Sequence, residues 1–202
     1  MNDPENDSSA LVPTGKRDLA KRTANLAQRG LELLLRNEAL HQISAEMSSC
    51  KDLKTMLEKL ALFCKQILPY DYLTVSFTEG EGAVRFKMLE GYYDYYRVFY
   101  LDNISKPISF VGSLLGWIIE NCQELCFSDI DPHDERLPIF PAKVLHTDSR
   151  SFLAIPLISH DKVFGVITFA SKQSNAIGAY QHNMLSIVVH SVAANIAAMK
   201  SF

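Results

Sequence analysis

The stretch from Ser151 to Lys172 constrains the fold more than any other part of the chain. Two apolar, β-branched-rich runs, Phe152–Ile158 and Val163–Ala170, flank the tripeptide Ser159-His160-Asp161. That pattern is the signature of an antiparallel hairpin. After a short segment of polar and small residues, an apolar helical pattern runs from about Tyr180 toward the end. A hairpin that hands directly on to a helix lays that helix against the sheet it has just built.

The chain between residues 51 and 150 alternates short apolar segments with turn signals, as a compact mixed domain does. Asp52 to Leu68 reads as an amphipathic helix, with Leu53, Met56, Leu57, Leu60, Ala61, Cys64 and Leu68 inward and Pro69 as the stop. Tyr72–Phe77 and Ala83–Leu89 read as strands joined by the turn cluster Glu79-Gly80-Glu81-Gly82. Tyr95–Leu101 is expected as a third, aromatic-rich strand. Gly112 opens a helix for which Ser113 is a suitable cap. Leu125–Ile130 is expected as a short strand, and Asp131 to Asp148 as a loop with a helical turn around Ala142–Leu145.

Residues 1–15 offer almost nothing to bury and are expected to form a disordered tail. Residues 16–50 read as a helix for signalling or dimerisation, and 51–202 as the domain, ending in a helix of a bundle. Within the first helix Leu19, Leu26, Leu33, Leu40 and Met47 recur every seven residues. Such a repeat keeps one stripe facing a partner. With these at d, the a positions are Thr23, Gly30, Asn37 and Ser44, which is too polar for a self-sufficient two-stranded coil. A helix lying on the protein's own domain is the alternative. Leu31, Leu34, Leu35 and Ile43 widen the apolar face, which favours a bundle. Along the last helix, Met184 to Met199 leaves almost no polar face, and a helix apolar all round must be buried all round. A second chain would cover what the sheet does not. Leu185, Val188, Val192 and Met199 join the five heptad residues as the expected dimer interface, and the partner expected is a second copy.

Composition excludes several classes. Hydrophobic content of 48% and charged content of 21% are those of a globular domain, and a net charge of −3 lacks the basic face of a nucleic-acid binder. No apolar run approaches the ~20 residues of a membrane span, and the polar start does not read as a signal peptide. Four cysteines at positions 50, 64, 122 and 126 form no disulfide framework in 202 residues, so the cytoplasm is the expected compartment. Cys122 and Cys126, with His133 and His146 downstream, lack the paired spacing of a zinc module, and no metal is assigned.

The series Ser151-x-Leu153-Ala154-Ile155-Pro156-Leu157, then Val163-x-Gly165-Val166-Ile167-x-Phe169, then the apolar terminal helix resembles the carboxy-terminal half of a GAF domain. Earlier elements resemble the same family in the same order. They are Gly112-Ser113-Leu114-Leu115-Gly116-Trp117, Phe127-Ser128-Asp129-Ile130-Asp131 and Asp134-Glu135-Arg136. The resemblance covers about Lys51 to Met199. It implies an α+β fold, a central antiparallel sheet of about six strands with helices on both faces, plus the long amino-terminal helix. It further implies a sensory module related to PAS domains, whose helices pair and signal to an output domain or effector protein. A small-molecule cavity would be lined, by family placement, by Phe77, Phe110, Trp117, Phe127, Asp129, Phe140, His146, Phe152 and Ile155. Aromatic walls with a few polar anchors suit a ligand, but the same large side chains suit a filled core.

The departures are as informative as the matches. Ser171-Lys172 stands where cyclic-nucleotide-binding relatives carry Asn-Lys, with no Asp-Glu in the final helix, which disfavours cyclic GMP. Phe127 to Pro132 only partly echoes the bilin-binding element, and no Cys occupies the usual loop. His146 occupies the loop from which some relatives ligate a haem, yet a lone histidine assigns none. The cofactor is left open. Relatives that reduce free methionine sulfoxide carry a Cys before the helix-entry Gly, where this chain has Leu115 before Gly116. The reading is a non-catalytic sensory and dimerisation module, against a structural dimer scaffold with a filled pocket and, behind it, a thiol-dependent free methionine sulfoxide reductase. The helical pattern runs up to Phe202, so an output domain that follows and a stand-alone module acting through a partner both stay open.

Overall fold

A computed structural model describes residues 14–91, 106–131, 139 and 148–200. The expected strand over Tyr95–Leu101, the helical turn at Ala142–Leu145 and most of the 1–15 tail lie outside the described residues. The chain forms two compact units, residues 1–42 and 43–202.

In the first unit lies most of helix α1, Thr14–Ser48. Its heptad leucines point to solvent: Leu19, Leu26 and Leu33 are 65%, 68% and 56% exposed, with Leu31 and Leu34 also open. Leu40 is partly buried. The last turn of α1 belongs to the second unit, where Ile43 and Met47 are core.

The second unit holds a six-stranded antiparallel sheet ordered β3-β2-β1-β6-β5-β4. Its strands are β1 Tyr72–Thr78, β2 Ala83–Glu90, β3 Ile108–Ser109, β4 Leu125–Phe127, β5 Ser151–Ser159 and β6 Lys162–Ser171. The β5–β6 hairpin turns on His160 and Asp161, both at positive φ (50° and 59°), as the tight turns matched to strand twist require. The strand expected over Leu125–Ile130 ends at Phe127, where Ser128 and Asp129 turn away to other partners. The two-residue β3, too short to leave a periodic signal, was not expected.

Helix α2, Leu53–Ile67, begins at the Asp52 cap, whose carboxylate accepts from the Thr55 N–H. It buries Met56, Leu57, Leu60, Ala61 and Cys64. The terminal helix α4, Ala179–Lys200, lies beside α2 and on β5. On the opposite face of the sheet, the short helix α3, Leu114–Asn121, packs on β5 and β6.

Register assigns the faces. Leu73 pairs with Phe169, Val75 with Ile167 and Phe77 with Gly165, and these side chains share the α2/α4 face. Thr74 pairs with Thr168 and Ser76 with Val166, so these face α3. The long strands are thus buried on both sides.

This settles where α4 spends its apolar face. Leu185, Val188 and Val192 are 0% exposed within the single chain, as is Met47. They are core residues, which corrects their expected place in a dimer interface. Nor is α4 buried all round. Its outer face carries Asn183, His190, Ser191, Ala194 and Ala198, all exposed, with Met199 half-buried. Exposing alanine costs little, so this face makes a weaker demand for a partner than its hydropathy suggested. Truncation of Leu185 to Ala should lower stability by about 2–5 kcal/mol, read by urea denaturation. An interface residue would leave the monomer's stability unchanged.

Candidate functional site

The α3-facing side of the sheet is the candidate site, and its sequence logic begins at Gly112. That residue sits at φ +76°, which only glycine adopts without strain, and turns the chain into Ser113. The Ser113 hydroxyl accepts from the Gly116 N–H at 3.1 Å and donates to the Phe110 carbonyl at 2.7 Å. At Gly116 a Cβ would lie 2.4 Å from the Phe110 carbonyl oxygen. The Gly-Ser-x-x-Gly element is therefore a turn, a cap and a close approach, which together press Leu115 and Ile118 onto the sheet. Trp117, on the other side of this short helix, is 39% exposed.

The resulting cluster joins Val84, Phe86, Leu89, Phe110, Leu115, Ile118, Phe152, Ala154, Val166 and Ala170, with Tyr72, Ile108, Leu125 and Phe127 at its margin. Beneath it the sheet presents hydroxyls. The Thr74 and Thr168 hydroxyls bond each other, both fully buried, and Ser76 reaches the Val166 carbonyl at 3.5 Å. Hydroxyls in an apolar layer must be partnered, and here the two threonines serve each other while Ser76 uses a backbone carbonyl.

Of the expected cavity residues, Phe110, Phe127 and Phe152 meet in this cluster. Phe77 and Ile155 are corrected: both are buried on the opposite face, against the α2/α4 layer. Ile155 lies three positions from Phe152 in one strand, an odd separation that sends the two side chains to opposite sides. Trp117 faces outward for the helical reason just given. Asp129 is exposed and engaged as a loop clamp, accepting from Arg150 Nη2 at 2.6 Å and Ser174 Oγ at 3.0 Å. Those partners, Arg150 first, hold its carboxyl below the usual carboxylate range. Its contribution is thus present at neutral pH and lost as pH falls through the folded-state value. Phe140 and His146 lie outside the described residues.

Thr74, Ser76, Thr168 and Phe86 were missed. The polar alternation Tyr72, Thr74, Ser76, Thr78 through an otherwise apolar strand was the signal that could have found them.

The buried cluster on this face holds hydroxyls and aromatic rings, and at its rim the Tyr72 hydroxyl donates to Asp148 while the Lys172 ammonium lies 5.4 Å from the Tyr72 ring centroid. Burial pushes the Cys64 thiol far above its usual range, and burial with nearby Glu124 raises that of Cys126, which keeps both protonated. Among the described residues no group of His, Cys, Asp or Glu is placed to hold a metal. No helix among them is long and apolar enough to cross a membrane.

A fold of this order, with a capped helix over one face and helices α2 and α4 on the other, defines a class of small sensory and regulatory domains. Residues 50–197 match the GAF domain family, to which the chain belongs. No curated protein sequence matches it. Similar solved structures include the GAF domain of a phosphoenolpyruvate-protein phosphotransferase from Acinetobacter, at 16% identity and TM-score 0.65, covering 83% of this chain and 95% of that one. The corresponding domain from Coxiella burnetii has 18% identity and TM-score 0.65, with 82% and 95% covered. The free methionine-R-sulfoxide reductase of Neisseria meningitidis has 16% identity and TM-score 0.62, with 84% and 93% covered. At these identities the likeness is one of fold.

The paired hydroxyls give a sharp test. Thr74→Val alone leaves the Thr168 hydroxyl buried without its partner and should cost about 1–3 kcal/mol, as should Thr168→Val. The double variant should recover most of that loss in a thermal or urea double-mutant cycle. Additive losses would mean that the two hydroxyls have other partners.

Proposed function

We propose that this chain is a GAF-type sensory module that forms a homodimer through α1 and passes a signal along its terminal helices. The observation that carries the reading is the row of exposed leucines at 19, 26 and 33, with Leu34 exposed beside it. A stripe of this kind on a helix of 35 residues, about 50 Å long at the usual rise, calls for a partner helix. The seven-residue spacing of Leu19, Leu26 and Leu33 suits an identical helix running alongside. Binding of a small molecule or partner at the α3 face would favour one of two packings of the helices, and so bias an output domain or effector. The cytoplasm is the compartment that suits a module with free thiols.

Native mass spectrometry and light scattering of the purified protein should give a dimer at micromolar concentration. Leu26→Glu with Leu33→Glu should shift it to monomer while the far-ultraviolet signal of the domain is kept. A monomeric wild-type protein would contradict the reading.

A second reading has its own support. Within the α3-face cluster Phe86, Phe152, Leu115 and Ile118 are almost fully buried, and the Thr74 and Thr168 hydroxyls are paired. On that reading the chain is a dimerisation scaffold with a filled core. A small molecule retained through gentle desalting would favour the sensor. Catalysis is not part of either reading, because Leu115 stands where the sulfoxide-reducing relatives place cysteine. Turnover of free methionine sulfoxide with a thiol reductant would reverse that.

A further inference from the structure

A cleft of about 640 Å³ opens on the other side of the sheet from the hydroxyl face, where the start of α2, the β1–β2 turn and the end of α4 converge. Its charged lining is Lys51, Arg85, Lys87 and Lys200 against Asp52 and Glu79. Both carboxylates are already engaged. Asp52 accepts from the Thr55 N–H and hydroxyl, each at 2.8 Å, in capping α2. Glu79 is gripped by the two-pronged guanidinium of Arg85. Among the described residues, no carboxylate pairs with the ammonium groups of Lys51, Lys87 or Lys200.

Lys200 is the telling member. Among the described residues its Nζ bonds the carbonyls of Thr78 and Phe164, both at 3.3 Å, and lies over the Phe77 and Phe164 rings at 5.3 and 5.7 Å. Burial and then repulsion from Lys87 hold it below the usual lysine range, partly offset by Glu79. Lys87 sits at the β-bulge that breaks the β1–β2 register, which takes it out of the regular ladder. Three lysines from three separate segments thus crowd one concavity whose lining carries two more cations than anions.

We propose that this cleft binds a small molecule through a dianionic phosphate monoester, whose two charges match the excess. The volume lies in the usual range for small ligands, and ammonium groups on flexible stems can close on phosphate oxygens. The site would act as a latch. Lys51 lies three residues past the end of α1 at Ser48, and Lys200 ends α4, so one phosphate would tie the entry of the domain to its exit. A hydrogen bond from Asn195 to Ser48, 3.4 Å long, already spans the same two helices. The proposal does not depend on the dimer, since binding is read on the protein in whatever state it assembles.

The test uses inorganic phosphate and glycerol 2-phosphate as probes at about pH 8, above the second ionisation of both the monoester (about 6) and inorganic phosphate. Acetate at equal ionic strength is the control. Amide chemical shifts should move saturably around Lys51, Thr78, Lys87 and Lys200 with both phosphates and not with acetate. The Lys200 ammonium should titrate at higher pH when phosphate is bound. Lys51→Gln with Lys87→Gln, both exposed and outside the core, should weaken binding by about tenfold or more without changing the melting temperature appreciably. Equal effects of acetate and phosphate would reduce the cleft to a region of non-specific screening and overturn the proposal. So would unchanged affinity in the double variant, or saturable shifts confined to another part of the domain.

Discussion

Both faces of β1, β5 and β6 are covered, so the pairing of Thr74 with Thr168 carries much of the burden of fixing the sheet. Leu73 and Phe169 are the adjacent pair and point into the α2/α4 layer. A slip of one residue between β1 and β6 would set one threonine hydroxyl against that apolar layer and leave the other without its partner. In a strand with one wet face, polarity alone would forbid the slip. Here the penalty for an unpartnered buried hydroxyl does that work, and the rest of the domain is built on the register it protects.

The local elements were legible because each carries its own chemistry. Asp52 three residues before Thr55, Ser113 three before Gly116, and the polar tripeptide before Val163 all mark ends that the backbone must satisfy. The two glycines of the family-like motifs have the same clarity: a Cβ at Gly165 would meet the Ser76 carbonyl at 2.5 Å, as one at Gly116 meets Phe110. Face assignment was harder. The run Phe152 to Leu157 is apolar at every position because both sides are dry, so periodicity could not say which of its residues face α3. Parity could have: Phe152 and Ile155 cannot share a face. Family placement put them together, and the strand's pleat separates them. The clamp at Asp129 was illegible for another reason, since nothing in its local sequence announces Arg150 or Ser174 as partners.

The same two-sided burial redistributes the demand for a partner chain. Read by hydropathy, α4 and α1 look equally needy. In the fold, α4 spends Leu185, Val188, Val189, Val192 and Ile196 on its own sheet and turns small or polar residues outward. The unmet demand rests with the leucines of α1. The last turn of α1 lies in the second unit, where Ile43 and Met47 are core. The charged cleft takes its Lys51 from three residues beyond that turn.

The most direct measurement is sedimentation equilibrium of the full chain beside a chain beginning at Ile43, which retains the buried last turn of α1. The account predicts a dimer for the first and a folded monomer for the second. A shortened chain that still dimerises, or a full chain that stays monomeric, would contradict it.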